Sequence, residues 1–419
     1  MKKLPRLASS FLLFTFLAAC TSFPISTSQP ATPTPISENA ATETAPNTSE
    51  ETPAETESQI LRVWLPSEFD PAAETDAGEI LRTRLETFQK RRPDLILEVR
   101  IKAVDGQASL LNALLTTQDA APSAMPDLVA LTRPDLERAA LEGILHPIDG
   151  LSTLLDDPDW FPYARPLAHI QNSAYGLPFA ANLLGLAYRP IEGAPSLPSI
   201  ASLLEEETQI LFPADDPQAH LSFCLYTASG TLLRNEQGLP SLSEEELTSL
   251  LTFYQSENIS PNSADLQDQE ALWEAFNTQP ETASPFWTSD FMDKMPADAQ
   301  ITLIPTPNGA SCSLATAWIW ALAGSSPDLQ PAAVELAEYL SDSEFLAAWT
   351  AATGTLPPRP TALDESKTTL HELSLVAQPI PSNDIMESLG EIFRAATISV
   401  LREQVEASAA AQEAITNFQ

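Results

Sequence analysis

Glycine is scarce in this sequence: 13 residues in 419, against 37 prolines. No Gly-x-x-x-x-Gly-Lys-Ser/Thr loop occurs, so the chain carries no phosphate-cradling motor of its own. Gly-x-Ser-x-Gly is missing too, which removes one familiar frame for a serine nucleophile. Positive charge is equally thin. Twenty-one Lys and Arg stand against 57 Asp and Glu, a net charge of −36. Such a field repels phosphate backbones and anionic lipid heads, and it argues against nucleic acid as a partner. The four histidines, His146, His169, His220 and His371, show no His-x-x-x-His spacing, and Cys-x-x-Cys is absent. Neither a metal nor a cofactor is therefore expected. A glycosidase needs two carboxylates at a fixed separation, and 57 acids offer no way to single out a pair; no catalytic residue is assigned.

What is present begins with a leader. Lys2, Lys3 and Arg6 precede an apolar stretch, residues 7–17, that is too short to span a bilayer as a helix. It ends in Leu17-Ala18-Ala19-Cys20. Small residues followed by cysteine resemble the lipobox of bacterial lipoproteins, in which the thiol accepts the lipid and becomes the new N-terminus. Residues 1–19 are thus expected to be a signal peptide and Cys20 the lipidation site. Residues 20–58 read as a tether: six prolines, many Ser and Thr, six Glu and no Lys or Arg after the cysteine. A segment of this composition buries too little apolar surface to fold and stays extended. A lipid and a stalk place the folded body outside the cytoplasm, anchored to the membrane of the cell envelope.

From residue 59 the pattern changes. Residues 60–65 predict a buried strand, stopped by Pro66. Residues 76–92 predict a helix with Asp76 and Glu79 at its start and Lys90, Arg91 and Arg92 at its end, each charge on the side the helix dipole favours. Alternating Leu95, Leu97, Val99 and Ile101 give a half-buried strand. A helix around Leu110–Leu115, a strand at 127–131 and a helix at 133–142 complete a strand–helix alternation that predicts a three-layer α/β domain. Further on, Ser243-Glu244-Glu245-Glu246 is a capping box for a helix through Tyr254. Residues 265–277 predict another helix, and 301–304 a short strand. Residues 191–300 hold 19 acids and two bases, Arg234 and Lys294, so the acidity concentrates there. Solvation explains such a face; repulsion of anionic ligands would favour neutral sugars or cations. Cys224 and Cys312 are either a disulfide or two buried thiols.

Taken in order, several stretches resemble the bacterial extracellular solute-binding proteins that capture sugars for ABC importers. They are the opening strand with Trp64, Arg92-Pro93-Asp94, Pro126-Asp127-Leu128, residues 143–148 and Tyr175-Gly176-Leu177-Pro178-Phe179. Residues 332–340 and Gly354-Thr355-Leu356-Pro357 follow. The resemblance runs from about residue 60 to the C-terminus. It implies a two-lobed periplasmic-binding-protein-like fold of the class II type, each lobe a three-layer α/β/α domain, with the ligand cleft at the hinge. On that template lobe one is 60–180 with 317–363 returning to it, and lobe two is 181–316 with 364–419 returning. It also implies a small solute, most naturally a sugar or polyol, and permease subunits of an ABC transporter as partners.

Sugar sites pair aromatic platforms with hydrogen-bonding side chains at the ends of strands. Trp64, Thr132 and Arg133 lie at such strand ends. Phe179 and Asn182 lie where the family's chain crosses between lobes, and an amide there offers both donor and acceptor to a hydroxyl. Trp287 falls where sugar-binding relatives place a stacking ring. Trp318 and Trp320 lie in a stretch that reads as a buried strand: both are expected in the core, with Trp318 the candidate if one of them faces the cleft. The sequence departs from the family at 278–283, which lack its usual Gly-Lys/Arg pair, and at 379–386, which carry no aromatic, so a small ligand is favoured over a long oligosaccharide. Two other classes are compatible with the sequence: a surface enzyme acting on glycans, and a tethered interaction or sensor-accessory module without transport.

Overall fold

The buried strand expected at residues 60–65 is realised as Gln59–Pro66, with Leu61, Val63 and Leu65 facing one helical layer and Trp64 facing the other. The computed structural model describes residues 58–190, 208–294, 296–324 and 326–418. The leader, Cys20 and nearly all of the tether lie outside the described residues. Chain from Thr56 onward makes one compact unit.

The main sheet is mixed and runs, strand by strand, Leu95–Lys102, Gln59–Pro66, Leu128–Thr132, Leu314–Ala323, Gly176–Tyr188, Thr282–Trp287 and Gln209–Ile210. The first three are parallel to one another, as strand–helix–strand crossovers require. Leu314–Ala323 and Gly176–Tyr188 enter antiparallel and are the long members. Gly176–Tyr188 is shared: up to Leu183 it pairs with Leu314–Ala323, and from Leu184 it pairs with Thr282–Trp287. Two sets of strands are thereby joined through one continuous strand.

Both faces of the first set are covered. On one side lie the helices Asp76–Arg91, Gln330–Tyr339 and Ser343–Thr353, packed on Leu61, Val63, Leu128, Phe179 and Trp320. On the other lie Leu110–Ala120 and Arg133–Leu141, packed on Trp64, Val129 and Leu131. The local signals behave as their chemistry requires. Thr75, Ser109, Thr132 and Ser243 each accept a backbone N–H from the first turn of the helix that follows. One start differs from expectation: the helix expected over 265–277 spans Gln269–Thr278, because Asp268 rather than an earlier acid caps it by accepting from the Ala271 N–H. Residues Pro261–Asp265 form a separate 3-10 turn.

Around the second set, Glu244–Tyr254, Asn383–Leu401 and Ala407–Phe418 pack together on one side. Leu272 and Phe276 of the helix Gln269–Thr278 cover Ala187 and Phe286 on the other. The question left open for the two cysteines is answered: Cys224 and Cys312 form a disulfide. It ties the helix His220–Thr227 to the segment that leads into the Leu314–Ala323 strand.

Candidate functional site

Burial along the two long strands marks the site. In Gly176–Tyr188 every residue is buried except Asn182. In Leu314–Ala323 every residue is buried except Thr316 and Trp318. Thr316 is the register partner of Asn182, so these two uncovered positions coincide, and Trp318 lies two residues further along the same strand, opposite the buried Ala180. Here the helical layers part, and a cleft of about 620 Å³ opens with these residues as its floor.

Its walls come from four places in the chain. Glu68 and Phe69 belong to the turn after the first strand, and Thr75 caps the next helix. Thr132 ends the third strand and caps the helix after it, accepting from the Asp135 N–H at 3.4 Å. Ser289, Asp290 and Asp293 come from the short helix Thr288–Lys294. Thr353 and Thr355 flank Gly354, which ends its helix at φ +71°, a left-handed conformation that glycine alone adopts without strain. The Gly354 turn is held against the floor because Ala181 and Leu356 exchange both backbone hydrogen bonds, at 2.7 and 2.9 Å.

Asn182 organises the far wall. Its Oδ1 accepts from the Thr288 hydroxyl at 3.1 Å and from the Ser289 N–H at 3.0 Å, while Thr288 Oγ1 accepts from the Leu183 N–H. The amide thus fixes the start of the helix that carries Ser289, Asp290 and Asp293. Its NH2 has no protein acceptor among the described residues, and it remains a donor for a ligand. Trp318 supplies the aromatic surface. Its ring stands edge-on to Phe69 at 5.3 Å, and Phe69 in turn contacts Phe179 and Trp349. The platform therefore rests on a rigid aromatic cluster.

Of the residues singled out from the sequence, the structure brings Asn182, Thr132 and Trp318 together in the cleft. The other four lie elsewhere. Trp64 is 1% exposed, in the core beneath the Lys102 ammonium. Phe179 is fully buried and stacks on Trp320 at 4.2 Å. Arg133 is buried in an ion pair with Glu137 at 2.9 Å and lines a separate groove. Trp287 turns its ring edge-on to His220 at 5.1 Å and is not among the cleft residues. Sequence reasoning missed Glu68, Phe69, Asp290, Asp293, Thr316, Thr353 and Thr355. Only the last two carried a signal, since Thr355 sits in the Gly-x-Leu-Pro stretch already noted and Thr353 directly precedes it.

The electrostatics are one-signed. The Glu68 carboxyl lies above the usual carboxylate range, first through loss of solvent and then through the charge of Asp290. Asp290 is raised as well, mainly by loss of solvent, with Asp293 adding to the effect and Lys294 opposing it. Cleft hydroxyls, one amide donor, carboxylate acceptors and an indole face can together hold a small polar molecule with an apolar C–H surface. Nothing in this set resembles an activated nucleophile.

No curated protein matches the chain. Solved structures do. The sugar-binding protein MalE from Xanthomonas citri superposes with a TM-score of 0.69 at 19% identity, over 86% of this chain and 96% of that one. The maltose complex of Listeria monocytogenes MalE gives 0.68 at 15%, over 86% and 97%. An extracellular solute-binding protein from Staphylococcus aureus, also in complex with maltose, gives 0.68 at 14%, over 86% and 96%. These likenesses establish the fold, a mixed α/β architecture like that of two-lobed periplasmic sugar-binding proteins. The sequence profile of one family matches residues 83–373, well over half of the chain, and the chain belongs to the bacterial extracellular solute-binding proteins.

Proposed function

We propose that this chain is the lipid-anchored solute receptor of an ABC importer, capturing a small polyhydroxylated molecule in the cleft by closure about the long strands. One observation carries the reading. The partly uncovered positions of the two long strands hold an amide, a hydroxyl and an indole, Asn182, Thr316 and Trp318, and all three line one cavity of ligand size. Such a trio on two paired strands, one of which joins two sets of strands, suits a ligand touching both sets. Lobe one is then residues 60–180 with 317–363, and lobe two 181–316 with 364–419, crossing near Asn182, Ser313 and Leu363. The sugar-binding and maltose-bound proteins among the structural neighbours support the polyhydroxylated class, and the departures at 278–283 and 379–386 favour a small member of it. Nothing in the cleft calls for catalysis.

Closure requires a ligand that binds the closed form better than the open one, since only that difference shifts the population. Tryptophan emission and radius of gyration, followed together on the body from Thr56 onward, should change with one saturation point. Far-ultraviolet circular dichroism should stay constant. Trp318→Ala is expected to weaken binding by about 1–3 kcal/mol while the fold persists. A ligand bound one-to-one that leaves both signals flat would reject closure; unaltered affinity in the Trp318 variant would reject the platform. Anchoring is tested separately. Because a thiol is the lipid acceptor, Cys20→Ala should abolish palmitate labelling and release the body from the membrane fraction, and equal labelling of the variant would remove the lipobox.

A further inference from the structure

Trp287 stands against a histidine rather than in the cleft: its ring and that of His220 meet edge-on at 5.1 Å. His220 opens the helix His220–Thr227, and Ala219 before it adopts a left-handed conformation at φ +47°. A residue with a Cβ rarely takes that conformation unless its surroundings hold it there. Here the Asp216 N–H donates to the Pro213 carbonyl, the Ala219 N–H to the Asp216 carbonyl, and the Gln218 N–H to Asp216 Oδ1 at 2.9 Å. The turn so fixed aims the imidazole inward, where it keeps 13% of its side-chain surface.

The surroundings favour a neutral ring. The N-terminus of a helix is the positive end of its dipole. A cavity of about 20 Å³ adjoins the ring, and the charged side chains that line it are Asp216, from the turn, and Arg394, from the helix Asn383–Leu401. Arg394 is paired with Asp215 and Glu391. The other elements around the cavity present Leu184, Pro285, Gln269 and Thr397, none of them charged. Loss of solvent holds the imidazole below its ordinary value, and Asp216 works against that. Asp216 Oδ2 lies 3.9 Å from His220 Nδ1, too far for a hydrogen bond but close enough to attract a charged ring.

Protonation therefore gives the ring one partner to turn to, and the cavity gives it room. Any turn that closes the 3.9 Å gap changes the perpendicular contact with Trp287. Trp287 adjoins Thr288, whose hydroxyl donates to Asn182 Oδ1 and accepts from the Leu183 N–H. Leu184, the register partner of Trp287, follows on the same strand. The indole is thus joined to the amide that organises the far wall of the cleft.

We propose that His220 is a proton-sensitive prop against Trp287: uncharged, it holds the Thr288–Asn182 wall in place, and in mild acid it turns to Asp216 and loosens that wall. The effect on a solute rests on the receptor reading above; the coupling of His220 to Trp287 and Asn182 does not.

The full chain in mild detergent, isotope-labelled at tryptophan indoles, histidine rings and asparagine side chains, is followed by NMR without solute from about pH 8 to about pH 4.5. His220→Gln, Trp287→Phe and Asn182→Asp assign the signals. The His220 ring is expected to titrate below the ordinary value of about 6.5, with the Trp287 indole and the Asn182 amide moving at the same midpoint. In His220→Gln both should stay flat. Asp216→Asn should push the midpoint further down by removing the attracting charge, and it decides with the natural chain if His220→Gln does not fold. A Trp287 signal that is flat while His220 titrates, or that moves unchanged in His220→Gln, would overturn the prop. A His220 ring that stays uncharged throughout would do the same, and an Asn182 amide that does not follow would overturn the reach to the cleft. Calorimetry with maltose, glucose and sorbitol at about pH 7.5 and about pH 5 tests the solute side. The tightest-binding probe should lose about threefold or more in affinity at the lower pH, and not in His220→Gln. Equal affinity at both values would overturn the effect on binding; silence from all three probes would count against the receptor reading and leave the NMR result to decide the prop.

Discussion

Arg359→Ala is expected to lower folding stability by about 2–4 kcal/mol and to weaken ligand binding with it. Arg359 is only 7% exposed and lies with its guanidinium 4.9 Å from the Trp160 ring centroid. Its Nη2 donates to Asp157 at 2.8 Å and its Nε to Asp159 at 3.1 Å. Asp159 also accepts from Ser343 Oγ, from the Thr361 N–H and from the Thr361 hydroxyl. One carboxylate therefore pins the start of the helix Ser343–Thr353 and the segment beyond Pro358, the two ends of the stretch that supplies Thr353 and Thr355 to the cleft. Removing one partner of a fully buried pair costs about 3–5 kcal/mol; both aspartates keep some contact with water, which reduces the figure. Arg359→Lys should retain part of the stability, since it keeps the charge but loses the fork.

The pH dependence has a definite sign. The Asp157 carboxyl is held below its ordinary value, first by the Asp159 N–H and then by Arg359. Burial works to raise Asp159, but Thr361, Arg359 and Ser343 outweigh it and hold it low. A depressed carboxylate stabilises the folded state fully above its unfolded value, about pH 4, and loses that contribution as pH falls through the folded value. The gap in melting temperature between natural chain and Arg359→Ala should thus be widest near neutral pH and narrow below about pH 4. A gap that is constant across that range would show that charge pairing is not the cause.

Much of the fold was legible because its signals are local. An apolar run stopped by proline marks Gln59–Pro66, charges at both ends mark the helix Asp76–Arg91, and a capping box marks the start at Ser243; all depend on neighbours along the chain. Which face of a strand meets the ligand does not. Trp64 reads equally well as cleft or core, since both faces of its sheet are covered by helices and alternation only says that Trp64 and Val63 part company. Trp318 and Trp320 lie on one face by the same alternation. What separates them is depth along the strand: Trp320 sits under the helical layer and Trp318 at its edge, a fact of tertiary packing. The cleft acids are harder still. Glu68, Asp290 and Asp293 are three among 57, and no spacing rule joins residue 68 to residue 290.

Phe179→Ala is expected to be the most damaging single substitution near the cleft, at about 3–5 kcal/mol of stability. The family resemblance implies Phe179 as a ligand contact, because with Asn182 it lies where the family's chain crosses between lobes. Its ring is fully buried, stacked on Trp320, edge-on to Phe69 at 5.7 Å and tilted against Trp349 at 5.6 Å. Truncation leaves a cavity bounded by large rigid rings on a sheet whose strands cannot close in, so relaxation recovers little. The consequence reaches the ligand through packing. Phe69 bridges Phe179 to Trp318, so loss of the stack should let the Trp318 indole adopt more than one orientation and weaken binding without any lost contact to the ligand itself. Denaturant unfolding, near-ultraviolet circular dichroism and titration with the tightest-binding probe on the same variant test this chain of cause. Phe179→Leu, which refills much of the volume, should recover most of the stability but not the ring stacking, and its affinity should stay below that of the natural chain. If Phe179→Leu restores stability and affinity together, volume alone supports the platform. If Phe179→Ala spares stability and only abolishes binding, the ring belongs to the ligand site after all and the buried aromatic cluster is not what holds Trp318.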